Sequence, residues 1–586
     1  MYAKVKIILG DPAVRTVERS HAAWFVSGAT ACVVNRLRDP GRGGQEEREI
    51  CLEAGDVSII KVMHDDAGTP VEVTLYRGLS SSHLIFIAMS RSNGEIVISD
   101  SFRAIMAALP PSMRSPSDEV IVDHFLFGNV SGTNTYSSCV KRIAHGSKLT
   151  VNLKTGAVQN SFFDKVPLSE AELTADHYLE AIDRNLKRFA SDHVTSANSA
   201  VLFSGGVDSA LLGCYIGPSL SYLNMRTHPT TFNARLEQQY CDDAAALLGV
   251  RSEVLYEEPK DYPDQLCACI DSLGSPPQAL HMVWFDDAFR RTDYDTYFVA
   301  ERADALFGHG GRIARFASHF TSPVAFQLLR LATAVLPPSN RLKWQHILPA
   351  AQKLREQPQS AYGYAAQTSM WTTPELVWRM FPANLIEERI KARLQYMLDR
   401  VELPTHYESQ FHRHIELAQW TDYFCEDTLS LYRQCAHANG KTLLSPFLNA
   451  DLLRIVARVP ADCRYIKDGQ GKYLLKRLLK MKLPEYQVNK RKAFPEMPFS
   501  LLYPNGTLNG IWERYDLPDF IDGDVRDEIL SNPHLVTWQA VKYAMWEKEI
   551  RAAAELQLPS TSAIVEYDLR TPISARPLRR LHRLPH

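Results

Sequence analysis

The pattern of apolar and polar positions changes character near residue 165. Before it, short β-branched or aromatic runs recur at Val5–Leu9, Val57–Val62, Val71–Tyr76 and Leu84–Ala88, with polar, glycine-containing turns between several of them. Lys148–Leu153 followed by Lys154-Thr155-Gly156 predicts another strand entering a turn. The stretch Arg36–Glu49, with Gly41, Gly43, Gly44 and many charges, predicts a solvated loop. After Pro167 the period lengthens: Leu179, Ile182, Leu186 and Phe189 form one stripe of an amphipathic helix. A buried-strand run, Ser199–Phe203, then leads through a glycine-rich turn into a helix from about Ser209. Further strands are predicted at Tyr222–Thr227, Glu253–Tyr256 and Thr296–Ala300, separated by helical stretches such as Asp242–Leu248. Strands alternating with helices predict an α/β fold built on a doubly wound parallel sheet. From about Ser318 the pattern is mostly helical, and no internal repeat is present.

Composition narrows the setting. With 45% apolar and 23% charged residues over 586 positions, the chain reads as a soluble globular protein of two or more domains. A formal net charge of -2 gives no basic field to attract nucleic acid. Met1–Gly10 lacks the apolar stretch of a signal peptide, and Phe326–Leu336 is about half a membrane span and is broken by Arg330. The ten cysteines show no paired spacing; Cys267 and Cys269 read as buried helix thiols. A cytoplasmic protein without a membrane partner is expected. The segment Leu569–His586, with five Arg, three Pro and no acid, predicts a basic, mobile tail.

Two loops carry the chemistry. Ser204-Gly205-Gly206-Val207-Asp208-Ser209 follows a strand and opens a helix. Glycines let backbone amides approach a polyphosphate, and the helix N-terminus offers N–H groups and a positive dipole end. Ser204 and Ser209 add hydroxyls. No Gly-Lys-Ser/Thr follows, so this is not the loop that transfers a γ-phosphoryl group. It resembles the PP-loop of ATP pyrophosphatases, which hold pyrophosphate while the α-phosphorus is attacked. The second loop, residues 299–308, reads Val-Ala-Glu-Arg-Ala-Asp-Ala-Leu-Phe-Gly and also follows a strand. In a doubly wound sheet it can face the first loop across the crevice. Asp208 and Asp304 then make a pair for Mg²⁺ beside ATP, and Glu301 is placed to accept a proton from an attacking amine. Met225, on the second strand, is a candidate adenine neighbour through its backbone, although strand patterning alone would put it in the core.

Together the loops resemble the synthetase domain of the asparagine synthetase superfamily, whose second motif runs Gly-Glu-Gly-Ala-Asp-Glu-Leu-Phe-Gly-Gly. Glu301, Ala303, Asp304, Leu306, Phe307 and Gly308 match, while Ala300, Arg302, Ala305 and His309 depart. The departures imply a changed acyl pocket, and Arg302 joins the nucleotide-binding candidates. Ser445-Pro446-Phe447-Leu448-Asn449 is similar to the family's Pro-Phe-Leu-Asp turn, and Gly471–Lys476 to its Lys-Tyr-Leu-Leu-Arg helix. Lys472 is therefore either a phosphate contact or the exposed face of that helix. Lys490-Arg491-Lys492-Ala493-Phe494-Pro495 resembles the basic loop that closes on pyrophosphate. The spacing is shifted by one, so Lys490 and Lys492 both qualify as the catalytic lysine, with Lys492 favoured. The likeness runs in order over residues 170–500.

Residues 1–165 resemble, more loosely, the N-terminal nucleophile glutaminase domain of the same superfamily, an αββα sandwich. Ile98-Ser99-Asp100 and Gly146-Ser147-Lys148-Leu149 sit where that domain has comparable strand ends. Its second residue is a nucleophilic cysteine; here it is Tyr2, and the first cysteine is Cys32. Glutamine is thus not expected to supply nitrogen. β-Lactam synthetases, carbapenam synthetases and lasso-peptide cyclases share this lack and close rings by intramolecular amide formation. β-Lactam-type synthetases are expected to carry Tyr where this chain has Glu301, so the resemblance favours a lasso-peptide macrolactam cyclase. That implies ATP and Mg²⁺ as cofactors and a precursor peptide or small amino-acid-derived substrate, with a leader-binding protein and a protease as companions. The alternatives are β-lactam or carbapenam ring closure, an asparagine synthetase-like ligase using free ammonia, and a scaffold without catalysis. The implied division is 1–165 glutaminase-like, 166–568 ligase and 569–586 tail.

Overall fold

Period-two alternation in the first part of the chain builds two sheets around a shared core. The computed structural model describes residues 2–308, 374–490 and 506–569, leaving out 3, 20, 29–30, 39–45, 91–93, 168–173, 195–197, 228–231, 404–409, 468–469 and 532–534, and adding 324, 327, 328 and 331. The expectations for Lys492, for most of Phe326–Leu336 and for the tail beyond residue 569 lie outside the described residues. Strand Lys4–Leu9 turns Val5, Ile7 and Leu9 to one side and Ile8 to the other. It pairs in parallel with Glu95–Ser99, and Phe86–Ser90 and Val140–Arg142 continue the sheet antiparallel. On its other edge lies Ala563–Asp568, antiparallel, so this sheet is completed from the far end of the chain.

Six antiparallel strands form the second sheet, in the order Val158–Phe162, Ser147–Asn152, Pro70–Arg77, Ser58–His64, Ala22–Ser27 and Arg15–Arg19. Phe25, Ile60, Val62, Val73 and Leu75 meet Val5, Ile7 and Leu9 between the sheets. Helices Phe102–Ala108 and Asp118–Phe127 cover the outer face of the first sheet, and Ala31–Arg38 and Glu46–Ala54 that of the second. The layers run helix, sheet, sheet, helix, as in an N-terminal nucleophile-like sandwich. Here one expectation fails: the described ends of Arg36–Glu49, Arg36–Arg38 and Glu46–Glu49, are helical rather than a solvated loop. Val33, Leu37, Ile50 and Cys51 pack on Trp24, Val26 and Ile59. The charges are spent between the two helices, with Arg36 reaching Glu46 at 3.7 Å, Glu49 at 3.5 Å and Glu53 at 2.5 Å. Each helix buries so few apolar residues that its stripe is lost among the charges.

In the second half, strands Ser199–Leu202, Ser221–Thr227, Ser252–Glu257, Thr296–Phe298 and Thr442–Leu444 form one parallel sheet. Their spatial order is third, second, first, fourth, fifth. Ala200, Leu202, Leu223 and Tyr297 face one helical layer, which includes Tyr262–Leu273, Met282–Arg291 and Thr428–Ala438. Val201, Phe203, Tyr222 and Phe298 face the other, which includes Ala175–His193, Val207–Ile216 and Tyr473–Lys482. Burial on both faces is why Ala200–Phe203 reads as an unbroken apolar run. The order reverses between the first and fourth strands, so the turns leaving those two strands border one crevice. From Pro374 to Arg551 the described elements are helical apart from Thr442–Leu444 and three two-residue strands. No helix among the described residues is long and apolar enough to cross a membrane.

Candidate active site

The first strand ends at Leu202, and its continuation, Ser204–Gly206, turns sharply into helix Val207–Ile216. Gly206 caps that helix, and its carbonyl accepts the Ala210 N–H at 2.8 Å. Gly205 has φ +69°, and a Cβ there would lie 2.4 Å from both Cys241 Cα and Tyr240 O. Any other residue would push the neighbouring helix away, so the close approach demands glycine. The two serine hydroxyls are 3.1 Å apart, and the Gly206 N–H donates to Ser204 Oγ at 3.3 Å. From the far side, Tyr486 Oη donates to Gly205 O at 2.7 Å. The turn is thus held rigid while Ser204 itself is exposed.

The fourth strand delivers the second loop to the same crevice. Ser445 Oγ donates to Glu301 O at 2.8 Å, tying the turn before Pro446–Leu448 to this loop. Arg302 has φ 78°, and the five-residue helix Ala303–Phe307 follows. The two loops meet on one nitrogen. Lys472 Nζ bonds to Asp208 Oδ2 and lies 2.5 Å from Asp304 Oδ1. Lys472 is buried, with φ 56°, just before helix Tyr473–Lys482. Burial opposes its charge, but the two carboxylates outweigh burial and hold the ammonium well above its usual range. The reading of Lys472 as an exposed helix face is therefore set aside.

An ammonium bridging two carboxylates marks a place where positive charge is stabilised. The donor set also suits Mg²⁺, which takes one or two carboxylates together with phosphate oxygens and water.

Other candidates are placed less uniformly. Glu301 lies close enough to Tyr432 that its charge, after burial, raises the phenol well above its usual value. Tyr432 Oη is 2.6 Å from His281 Nε2 and its ring stacks on Phe285. Lys490 Nζ sits over the rings of Tyr240 and Tyr486, 4.6 and 5.0 Å from their centroids, so it borders the residues that clamp Gly205. Met225 is partly buried and packs against the core layer that contains Leu223.

Arg302 requires a correction. It does not join the nucleotide-binding set: its guanidinium bonds to Asp427 Oδ1 at 2.7 Å and to Tyr423 O, and lies over the Tyr423 ring. Its left-handed backbone turns the side chain into the interior.

Sequence reasoning missed Tyr486, Tyr432 and His281. Tyr486 stands four residues before Lys490 and was legible only as a loop aromatic, while Tyr432 sits on helix Thr428–Ala438 and His281 just before helix Met282–Arg291, where apolar spacing gives no sign of the loop they approach.

Compared with known families, residues 182–520, more than half of the chain, match the asparagine synthase model. No curated protein matches the chain. With a glycine-clamped turn and two aspartates meeting at the switch point of a five-stranded parallel sheet, this match makes the chain a member of the asparagine synthase family, a family of ATP-dependent carbon–nitrogen ligases.

Proposed function

We propose that this protein adenylates a carboxylate of a peptide substrate and closes a macrolactam on it, as a lasso-peptide cyclase does. The observation that carries the nucleotide chemistry is the convergence of Asp208 and Asp304 on Lys472 Nζ beside the phosphate turn. Ser204, Gly205, Gly206, Val207 and Ser209 cradle the β- and γ-phosphates, and the helix dipole of Val207–Ile216 stabilises the departing pyrophosphate. Asp208 and Asp304 hold Mg²⁺, which offsets phosphate charge and polarises the α-phosphorus. Lys472 keeps the two loops together while the phosphates are exchanged. Lys490 or Lys492 neutralises charge that develops on the leaving group or on the acyl oxygen, worth about 2–4 kcal/mol for one well-placed donor. Glu301 accepts the proton of the attacking amine.

The amine belongs to the substrate. Tyr2 carries no thiol, and its side chain is packed in the core between the two N-terminal sheets. This supports a reading in which the first domain releases no ammonia from glutamine. The setting is cytoplasmic, with a core peptide, a leader-binding protein and a protease as partners.

The test is direct. With ATP, Mg²⁺ and a synthetic core peptide bearing an Asp or Glu side chain, the expected products are AMP, pyrophosphate and a peptide lighter by one water. ADP and phosphate would sink the adenylation step. AMP formation that requires ammonium and gives an open-chain amide would replace the cyclase by an ammonia-using ligase. No nucleotide turnover with any acid would leave a scaffold.

A further inference from the structure

A second cluster of chemistry-bearing side chains lies away from the phosphate turn, where the N-terminal sheets meet the synthetase half. Asp11 follows the first strand, His83 lies between Pro70–Arg77 and Phe86–Ser90, and His437 is in the last turn of helix Thr428–Ala438. All three are buried. We propose that Asp11, His83 and His437 bind one zinc ion that staples the two halves of the molecule together.

Geometry carries the assignment. One ligand atom from each residue lies within 4.8 Å of the other two. Asp11 Oδ2 is 3.4 Å from His83 Nδ1, and Asp11 Oδ1 is 3.6 Å from His437 Nε2. A tetrahedral zinc with bonds of about 2.0–2.2 Å sets its ligand atoms about 3.4 Å apart, the spacing of Asp11 Oδ2 and His83 Nδ1, while the His437 approach is to the other oxygen of the same carboxylate. These separations are long for hydrogen bonds, and neither Asp11 Oδ2 nor His83 Nδ1 has a hydrogen-bond partner. Buried polar atoms are rarely left so, and a carboxylate with two imidazoles aimed at it is a ligand set for a transition-metal cation. Among the described residues, Asp11 forms ion pairs only with these two histidines. No arginine or lysine among the described residues lies within ion-pair distance of it; the nearby Arg433 is committed to Asp56 through Nη1 contacts of 3.0 and 2.9 Å.

The surroundings hold the ligands in place. The Ala13 N–H donates to Asp11 Oδ1 at 2.8 Å, and the N–H groups of Gly10 and Asp11 donate to Asp100. Ser58 Oγ donates to His83 O at 2.7 Å, and the His83 N–H donates to Ser81 Oγ at 3.2 Å. The second ring nitrogen of His83 faces Asp56 Oδ1 at 4.0 Å. A carboxylate behind a histidine ligand is the usual outer support of a zinc site. Two ligands come from the N-terminal sheets and one from the synthetase half, so binding couples to their docking. Nothing here depends on the chemistry proposed for the phosphate turn.

The full chain, produced with zinc supplied and then dialysed, is expected to hold about one zinc per molecule. His437→Gln should lower that at least about tenfold, whereas His437→Cys, which keeps a zinc ligand, should retain it. Cobalt(II) added to metal-free wild type should give the visible bands of a tetrahedral site, and a chelator should lower the melting temperature of wild type but not of His437→Gln. Wild type that holds no zinc and gives no cobalt bands overturns the proposal, even if every variant precipitates. Iron or manganese at the same stoichiometry, lost in His437→Gln, overturns the choice of zinc.

Discussion

Two groups of charges, one in the crevice and one in the seam between the halves, show what a protein does with charges it means to use and charges it means to lock. In the crevice, Asp208 and Asp304 keep 21% and 30% of their side-chain surface and share one ammonium. In the seam, Asp427 is 3% exposed and is surrounded by Arg77, Arg302, Arg142 and His145, the first two at 2.9 and 2.7 Å. Burial pushes the Asp427 carboxyl up, but Arg77 and the other cations outweigh it and hold the acid well below its usual range. The seam cluster is buried, although Asp427 and Arg142 also border a small cavity. The crevice pair keeps part of its surface open to solvent, where a metal and phosphates can join the shared ammonium. Arg302 lies between Glu301 and Asp304 in sequence yet belongs to the seam, so neighbours in one motif serve opposite ends.

Breaking each group should therefore do opposite things. Asp208→Ala and Asp304→Ala are expected to cut pyrophosphate release by roughly a thousandfold or more while costing less stability than the seam change, because buried Lys472 keeps the other carboxylate. Pyrophosphate release and a thermal melt on the same preparation check this; a variant that stays active removes the carboxylate from the nucleotide site. Asp427→Asn should instead lose about 3–5 kcal/mol of stability, because it leaves buried arginines without their counter-charge. Adenylation per folded molecule should persist. Denaturant titration reads the first effect and active-site-normalised turnover the second; a stable but inactive variant would erase the distinction drawn here.

The crevice was largely legible in the sequence, and the seam was not. A strand, a glycine-rich turn and a helix leave a local mark, because Gly205 is required by backbone geometry and its neighbours Gly206, Asp208 and Ser209 follow within a few residues. The second loop repeats the trick after the fourth strand, and a parallel sheet brings such turns together by rule. Arg77, Arg302 and Asp427 are far apart in sequence and lie on different layers, so no spacing connects them. Lys472 was half legible: its helix was recognised, but only packing against Val207–Ile216 decides that its amine points into the crevice. Helices Ala31–Arg38 and Glu46–Ala54 were missed because ion pairs between them mimic a solvated charge run. The strand Ala563–Asp568 was missed because its partner is at the opposite terminus.

Glu301 tests whether the crevice separates activation from ring closure. Glu301→Gln keeps the size and hydrogen-bonding reach of the side chain but cannot accept a proton. Pyrophosphate release should stay within a few fold of wild type while amide formation slows about a hundredfold, the usual scale for losing a general base. Rapid quench with separate measurement of AMP and cyclic product distinguishes the steps. Equal slowing of both would assign Glu301 to nucleotide binding, and no slowing would take it out of the mechanism.

The smallest effect concerns a carboxylate that sits at a strand end like those of the crevice but is buried like those of the seam. Glu257 closes strand Ser252–Glu257; its partners are Gln265 Nε2 at 3.0 Å and Arg291 Nη1 at 3.6 Å. Burial first, and the charge of Asp287 second, push it up from 4.5 to about 7. A raised acid binds its proton more tightly in the folded state, so its contribution is most favourable below pH 4.5 and is lost as pH rises through 7. Glu257→Gln removes the charge and keeps the shape. At pH 8 the variant should be more stable than wild type, by on the order of 2 kcal/mol, and at pH 4 the two should melt together. A variant less stable than wild type at pH 8 would mean that Arg291 pairs with Glu257 as fully as Arg77 does with Asp427, which would move this strand end into the locked class.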